Sequence, residues 1–224
     1  MRPVLSHCWD LGPKEAIVLQ RQLCERIVIQ DGPDEIECVA GVDVGIKRDH
    51  ARAAVVILSF PKLQEIEHVI AERPIEFPYV PGLLSFREAP VILDALAKLN
   101  HVPDVILFDG QGYAHPRRMG IATHIGILLD HPTLGCAKSR LTGSYQEPGN
   151  ERGRYSLLYD TADDGSITVI GAVVRTRTNV KPVYVSIGHK TRLDKVIDIV
   201  LACGRGLKLP EPLRMAHRLA SGSS

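Results

Sequence analysis

The alternation of hydrophobic and polar residues divides the first third of the chain into one helix and three strands. In residues 13–29, Ala16, Leu19, Leu23 and Ile27 recur at the spacing of an amphipathic helix. Three strands follow, and the short polar connection between the first two is typical of a hairpin. The strands are predicted at residues 36–46, 51–60 and 64–72.

The rest of the chain alternates between apolar runs of strand length and segments with helical spacing. Thr191 and Asp194 form a capping-box pattern, which predicts a helix that reaches about residue 203. Hairpins followed by strand–helix alternation favour an α/β fold in which helices cover both faces of a mixed sheet. Further helices are predicted at 90–99, near 117–130 and at 211–220, and further strands at 104–109, 133–137, 155–160, 167–176 and 183–187.

The composition is that of an ordinary globular protein. The chain has 224 residues and a formal net charge of +1, so any basic field for nucleic acid must come from local clustering. We expect one domain over residues 1–224, with a flexible tail at 221–224. The absence of a coiled-coil pattern favours a monomer.

Two further absences bear on location and redox chemistry. No apolar run approaches the ~20 residues of a membrane helix, and the first ten residues lack the apolar core of a signal peptide. The five cysteines include no CxxC pair, so neither a zinc site nor a disulfide framework is indicated. We therefore predict a cytoplasmic protein that does not associate with membranes.

Two aspartates each end a short apolar run within the predicted strands. Asp43 closes the run 38–43, and Asp109 closes 104–109 directly before a glycine-rich loop. Each alone is most simply a turn or cap residue. On neighbouring strands they would lie ~4.8 Å apart and would repel each other unless a cation or a shared proton intervened. The pair therefore indicates a site for a hard cation such as Mg²⁺, and the nearby Arg117 suits a substrate with phosphates.

Glu88, Lys138 and His217 each leave two interpretations open. Ser85 and Glu88 fit a capping box, but Pro90 would then interrupt the helix, which could instead begin at Pro90 and leave Glu88 on a loop. Lys138 is either a solvated surface residue or a partner for a phosphate or carboxylate. His217 is either an ordinary helix residue or part of a catalytic site.

The loop at residues 78–82 combines stiffness with an aromatic tip. Pro78 and Pro81 flank Tyr79 and Val80 and restrict the backbone. Such a loop can insert between stacked bases and kink a duplex. The simpler interpretation is a turn whose tyrosine packs on the core, and the local sequence alone favours that interpretation.

Taken together and in order, these segments resemble the endonuclease V family of DNA-repair nucleases. The likeness runs from about residue 13 to 220, and the joined motifs are far more specific than any one of them. Two positions depart from the family pattern: Cys136 replaces a common valine that faces a pocket or the core, and Ile187 replaces a common proline, which would loosen a turn. The matching stretches are GVD at 41–43, PYVPG at 78–82, LSFRE at 84–88, DGQG at 109–112, AHPRR at 114–118, GCAKSRL at 135–141 and LPEPLRMAH at 209–217.

The resemblance implies a ribonuclease-H-like fold with a central mixed sheet of five strands or slightly more. It also implies Mg²⁺-dependent cleavage of double- or single-stranded DNA at deaminated bases, above all deoxyinosine, with Mn²⁺ able to substitute. The break falls at the second phosphodiester on the 3′ side of the lesion and leaves a 3′-hydroxyl and a 5′-phosphate. Some relatives cut inosine-containing RNA, so an endoribonuclease is the first alternative. A non-catalytic lesion-binding module and a small-molecule phosphohydrolase are the others.

The resemblance also assigns roles to individual residues. It implies that Asp43, Asp109 and Glu88 hold the metal, that Lys138 lies near the scissile phosphate, and that His217 borders the acidic centre. The implied wedge that fills the gap left by a displaced base is Pro78, Tyr79, Val80 and Pro81. The implied base pocket is Gly82, Leu84, Gly112, His115, Gly120 and Gly135, and the implied phosphate contacts are Arg117 and Ser139.

Overall fold

In the part of the chain that the structure describes, the fold is built on one eight-stranded mixed sheet. The computed structural model describes residues 1–162 and 164–222, so residues 223 and 224 of the predicted tail lie outside the described part. The predicted α/β class is confirmed, with more strands than five. The strands are β1 (Cys38–Lys47), β2 (His50–Ser59), β3 (Glu65–Pro74), β4 (Val105–Phe108), β5 (Thr133–Ala137), β6 (Tyr155–Thr161), β7 (Ile167–Val174) and β8 (Val183–His189).

The order across the sheet is β3-β2-β1-β4-β5-β8-β7-β6. The first three strands form the predicted antiparallel hairpins, and β4 and β5 then continue the sheet parallel to β1. Strand β8 pairs antiparallel with β5, and β7 and β6 extend the sheet beyond it. All four residues of β4 are buried, as expected for a central strand that is covered on both faces.

Helices cover both faces of the sheet, as predicted. One core cluster joins alternate residues of β1 and β4 to the helices α2 (Leu84–Leu96) and α3 (Ile121–Leu129), and the other joins the intervening residues to α4 (Leu193–Ala202) and α5 (Glu211–Ala220). This division follows from the two-residue period of a strand, which sends neighbouring side chains to opposite faces. The helices are α1 (Pro13–Cys24), α2 (Leu84–Leu96), α3 (Ile121–Leu129), α4 (Leu193–Ala202) and α5 (Glu211–Ala220).

Helix α2 departs most from its predicted bounds. It begins at Leu84 and contains Pro90, whereas the sequence favoured a start at Pro90 or a cap at Ser85. An interior proline removes one helix hydrogen bond and costs about 3 kcal/mol. Burial of Phe86 and Ile92 on opposite sides of Pro90 along the helix offsets that cost. The capping-box interpretation of Ser85 is therefore wrong, because Ser85 lies inside the helix.

Two smaller differences also have tertiary causes. Helix α1 ends at Cys24 rather than 29, because the following segment bonds to the residue after β8: the Lys190 N–H donates to the Val28 carbonyl at 2.7 Å. Helix α4 has Arg192 at its N-cap, and the Thr191 hydroxyl instead donates to the Thr133 carbonyl at 3.0 Å. The predicted capping box at Thr191 is therefore wrong.

The expected turn at Ile187 is also wrong, because Ile187 lies within β8 and pairs with Leu134. Cys136 is fully buried in the core, one of the two positions expected for it. In the described part of the chain, no helix has the length and apolar character needed to cross a bilayer.

Candidate active site

Asp43 and Asp109 lie side by side where β1 and β4 run parallel. The register pairs Val42 with Phe108, and the Asp109 N–H donates to the Val42 carbonyl at 3.1 Å. The two aspartates therefore occupy the next position on adjacent strands and share one face of the sheet. This placement confirms that their strands are neighbours.

Helix α5 crosses this face in close contact with β1. A Cβ on Gly41 would overlap the Pro212 carbonyl and would lie 2.7 Å from Leu213 N, and a Cβ on Gly45 would overlap the carbonyl of Ala220. Glycine at both positions lets the helix backbone approach the strand. Residues 41, 43 and 45 share a face, so Asp43 lies beneath the middle of the helix.

The close crossing brings His217 onto Asp43. The His217 Nδ1 and Asp43 Oδ2 atoms are 2.6 Å apart. His217 is exposed, whereas the Asp43 and Asp109 side chains are only 12% and 9% exposed. Lys138, which follows β5, forms an ion pair with Asp109. Four residues from distant parts of the chain thus meet at one end of the sheet.

The electrostatics of this group favour a bound cation. Burial raises the pKa of Asp43, and the neighbouring Asp109 charge raises it further, while His217 and Lys138 oppose the rise. One ligand atom from each of Asp43, Asp109 and His217 lies within 4.8 Å of the others. Carboxylate oxygens suit Mg²⁺ and an imidazole nitrogen suits transition metals such as Mn²⁺. The donor set therefore fits a divalent cation.

Glu88 approaches from the opposite layer and stands outside this three-residue group. It lies on α2, not on a loop, and no ion pair or side-chain hydrogen bond is formed by its carboxyl group among the described residues. Burial, together with the charges of Asp43 and Asp109, raises its pKa to about 8 against the opposing charge of Arg87. Without a cation this carboxyl is largely protonated at neutral pH.

We expect Glu88→Gln to stabilise the metal-free protein near pH 8 and to change it little near pH 4.5. The folded-state pKa of Glu88, about 8, exceeds the ordinary value of 4.5. The free energy of unfolding of the wild type is therefore unaffected by this shift below pH 4.5 and falls as the pH rises from 4.5 toward 8. Each pKa unit corresponds to about 1.4 kcal/mol. Urea unfolding of both proteins in chelator, across this pH range, measures the difference.

The control for this experiment is Asp94→Asn, which removes an exposed charge from the same helix. It should leave the pH dependence of the unfolding free energy as it is in the wild type. An identical pH dependence in Glu88→Gln and the wild type would contradict the expected protonation of Glu88.

A cavity of about 360 Å³ opens beside the acidic group. Asp109 belongs to both, because its side chain lies in the acidic group and the residue also lines the cavity. The amino-terminal end of α2, the loop after β4 and the segment after β5 form the walls. Among the predicted site residues, those that line it are Tyr79, Val80, Pro81, Gly82, Leu84, Asp109, His115, Gly120, Lys138 and Ser139.

Gly112 and Gly135, predicted in the base pocket, lie behind its wall. A Cβ on Gly135 would lie 2.5 Å from Gly112 N, and a Cβ on Gly112 would overlap the Ile187 carbonyl. The Gly112 N–H donates to Ser186 Oγ at 2.9 Å, so this peptide group is already satisfied. These glycines therefore support the wall by close backbone packing and do not line the cavity.

The loop at 78–82 projects Tyr79 into solvent and is anchored at Gly82. Tyr79 is 71% exposed, so the interpretation that it packs on the core is wrong. Gly82 has a φ of +79°, which favours glycine, and its carbonyl accepts from Gln20 at 3.0 Å, His115 at 3.0 Å and Arg117 at 2.8 Å. Three donors on one carbonyl hold the base of the loop.

These contacts define the states of His115 and Arg117. Burial, together with the Arg117 charge, lowers the pKa of His115 to about 4. Its Nδ1 accepts the Arg117 N–H at 3.1 Å, so its Nε2 carries the proton and donates to Gly82. Arg117 also donates through Nε to Gln20 Oε1 at 2.5 Å. Arg117, a predicted phosphate contact, therefore uses two of its three guanidinium nitrogens, Nε at Gln20 and Nη2 at Gly82, to anchor the loop.

Several residues of the site were not identified from the sequence. Gln20 is fully buried on the otherwise apolar face of α1, where a polar residue signals a specific partner. Gln111 lies between two glycines of the DGQG motif and lines the cavity. The pairing of Ser85 with His124 at 2.9 Å joins α2 to α3 and has no sequence signal, because the two residues are 39 positions apart.

Comparison with known proteins agrees with this geometry. The family model described as Endonuclease V matches residues 21–218 of the chain. A protein from Methanothrix thermoacetophila that carries the name Endonuclease V is 49% identical over 98% of this chain and 96% of its own length. This chain belongs to the endonuclease V family.

Solved structures of other endonuclease V proteins share the fold. Endonuclease V from Streptomyces avermitilis is 37% identical, with a TM-score of 0.89 over 100% of this chain and 97% of that one. Endonuclease V from Ciona intestinalis, solved with a 24mer DNA containing an inosine followed by a ribo-adenosine, is 28% identical, with a TM-score of 0.81 over 93% and 95% of the two chains. The chain is thus a nuclease of ribonuclease-H-like fold.

Proposed function

We propose that this protein nicks DNA at the second phosphodiester on the 3′ side of deoxyinosine and other deaminated bases, leaving a 3′-hydroxyl and a 5′-phosphate. The observation that carries the proposal is the position of Asp109, which joins the acidic group to a cavity of about 360 Å³. A cavity of this size can accept a flipped nucleobase. The inosine-containing DNA bound by the Ciona relative supports this choice of substrate.

Asp43 and Asp109 would hold a Mg²⁺ ion, with Mn²⁺ able to substitute, and His217 lies within reach of the same ion. When bound, the ion polarises a phosphate oxygen and lowers the pKa of a water ligand. Lys138, now paired with Asp109, carries the positive charge that neutralises a phosphate at this position. His217 holds Asp43 in place through its Nδ1 atom. Glu88 supplies a further carboxyl to the centre from α2.

Recognition of the lesion would use the cavity and the loop at 78–82. Flipping a base costs a few kcal/mol and is cheapest for a poorly paired one, and hypoxanthine pairs imperfectly with most partners. The exposed Tyr79, on a loop stiffened by two prolines and anchored at Gly82, is suited to fill the gap in the duplex. Ser139 is exposed beside Lys138 and is proposed as a phosphate contact, as is the remaining nitrogen of Arg117.

The experiment that tests this function uses a duplex with one deoxyinosine. Incubation with Mg²⁺ should give one nick with the stated ends, and chelator should prevent it. Matched oligonucleotides with inosine in DNA or in RNA, at one salt concentration, distinguish the endodeoxyribonuclease from the endoribonuclease. Cleavage of an unmodified duplex at the same rate, or exclusive cleavage of the RNA, would overturn the proposal.

Tyr79→Ala is expected to weaken binding to inosine-containing DNA by ~1–3 kcal/mol, the usual value for loss of one base-stacking aromatic. Binding is measured in Ca²⁺ or with a catalytically inactive variant. The matched control is Tyr155→Ala on β6, which also removes an exposed tyrosine, 54% accessible, but one that does not line the cavity. Equal effects of the two substitutions, or no effect of either, would favour a small-molecule phosphohydrolase.

We further propose that the protein acts as a cytoplasmic monomer of one domain. One sheet extends through all eight strands and supports a single domain. The five cysteines are free thiols, as is usual in a reducing compartment.

A further inference from the structure

A groove of about 850 Å³ begins close to the acidic group. Gly45 and Ala220 form part of its wall, and they lie two and three residues beyond Asp43 and His217 on the same elements. The wall also includes the tip of the hairpin that joins β1 to β2, at residues 47–50. A molecule bound at the acidic group can therefore extend along the groove to this tip.

The tip of the hairpin carries two exposed cations. Lys47 and Arg48 both line the groove. Neither forms an ion pair or a side-chain hydrogen bond with a described residue. Lys47 lies on the same face of β1 as Asp43, because the two are four residues apart, and this spacing separates them by ~14 Å along the strand.

Asp49 and Glu72, which also line the groove, are already engaged within the protein. The Asp49 Oδ1 atom lies 2.9 Å from His50 Nδ1, and Glu72 forms an ion pair with Arg52. Arg52 also donates through Nε to the Leu219 carbonyl at 3.1 Å, which holds it against α5. The two cations of the tip therefore present positive charge to solvent, where it attracts an anion.

Arg48 holds a backbone conformation that arginine rarely adopts. Its φ is +57°, and it occupies the first position of the two-residue loop between β1 and β2. Glycine, asparagine and aspartate are the usual residues at such a position. Strained positions of this kind cluster where a side chain serves a function, and a planar guanidinium matches the oxygens of a phosphate.

The sheet order determines which part of a DNA strand reaches the hairpin. Asp109, after β4, lines the cavity, and Asp43 lies on β1, the neighbour of β4 on the side away from β5. Strand β2 and the hairpin lie beyond β1. A DNA strand with its displaced base in the cavity and its second 3′ phosphodiester at the acidic group therefore continues toward the hairpin on its 3′ side.

We propose that Lys47 and Arg48 bind backbone phosphates of the cleaved DNA strand on the 3′ side of the nick. Each nucleotide of a duplex strand advances by about 3.4 Å, so a distance of ~14 Å from Asp43 corresponds to about four nucleotides beyond the cleaved bond. These contacts add affinity without reading the sequence, since phosphates carry no base information. The inference rests on the proposed function, because the polarity follows from a lesion in the cavity and a cut on its 3′ side.

The first test measures how salt affects binding to a long inosine-containing duplex in Ca²⁺. The double variant Lys47→Gln/Arg48→Gly should bind on the order of tenfold more weakly at about 0.1 M salt, and the slope of log K against log salt should fall in magnitude by about 2. Glycine tolerates the φ of Arg48, so the midpoint of urea unfolding should stay close to that of the wild type.

Lys62→Gln is the matched control, because Lys62 is exposed in the connection after β2, at the opposite end of that strand from the hairpin. It should leave both the affinity and the salt slope at their wild-type values. An unchanged slope in the double variant, or an equal change in Lys62→Gln, would overturn the inference.

The second test locates the contacts by shortening the substrate. One duplex ends two base pairs beyond the nick on the 3′ side, and the other is shortened on the 5′ side of the lesion and keeps its full 3′ flank. The deficit of the double variant in kcat/KM should disappear on the first duplex and persist on the second. The opposite pattern, or a deficit that persists on both, would contradict the assigned polarity. A wild-type enzyme that does not nick the full-length inosine duplex would instead overturn the proposed function.

Discussion

Asp109→Ala is expected to abolish nicking of inosine-containing DNA while binding of the lesion remains measurable. Asp109 supplies one of the two carboxylates of the acidic group and is the ion-pair partner of Lys138. Its loss would remove a metal ligand and free the lysine from its position. We expect the rate constant for nicking at saturating enzyme to fall by on the order of 10³-fold or more.

Single-turnover kinetics with Mg²⁺, beside a binding titration in Ca²⁺, separate the two effects. Asp94→Ala is the matched control, since it removes an exposed carboxylate on α2 whose described partner is Arg73. Such surface substitutions usually change stability by less than about 0.5 kcal/mol. Wild-type nicking by Asp109→Ala would refute the metal assignment, and the proposed mechanism with it.

Gly41→Ala is expected to reduce both stability and activity, although Gly41 has no side chain to contribute. The added Cβ would overlap the Pro212 carbonyl, and backbone cannot rotate away as the end of a side chain can. Helix α5 must therefore shift, and His217 moves with it away from Asp43. Overpacking of this kind costs about 1–3 kcal/mol, and a displacement of about 1 Å at a catalytic group can cost on the order of 10²-fold in rate.

Urea unfolding and single-turnover nicking measure the two losses. Gly12→Ala is the matched control, because its added Cβ would meet its nearest atom, Glu15 Oε2, at an ordinary 3.5 Å. Normal activity in Gly41→Ala would show that the position of α5 over β1 is not required for the chemistry. A fall in stability without a fall in activity would separate packing at Gly41 from the placement of His217.

The local sequence patterns predicted correctly those elements in which the apolar residues lie on the face that the folded protein buries. The predicted bounds of β5 and α5 match the structure, because their apolar spacing coincides with their buried faces. Helix α2 does not match, since the proline rule is local and the burial of Phe86 and Ile92 is a tertiary effect. The same reason explains Thr191, whose hydroxyl bonds to β5 instead of capping α4.

Some residues of the candidate site could likewise be identified from the sequence, and the positions of others are set only by the tertiary structure. Asp43 and Asp109 could be identified because each follows a short apolar run, although Asp43 lies within β1 and only Asp109 follows the end of its strand. The resemblance to endonuclease V identified Lys138 and His217, and the structure brings both to the two aspartates. The role of Glu88 as a metal ligand stays a prediction, because the close group of ligand atoms is formed by Asp43, Asp109 and His217. The structure places Gly112 and Gly135 behind the cavity wall.

The sequence by itself determined the α/β class, the pair of aspartates that follow short apolar runs and the stiff loop that bears Tyr79, because each depends on the spacing of neighbouring residues. Only the tertiary structure decided how His217 reaches Asp43 across 174 positions, how three donors hold Gly82, and how His124 pairs with Ser85. Those contacts depend on the crossing of α5 over two glycines and on the packing of α2 against α3. No local pattern encodes such distances, since they arise when separate elements bury their apolar faces together.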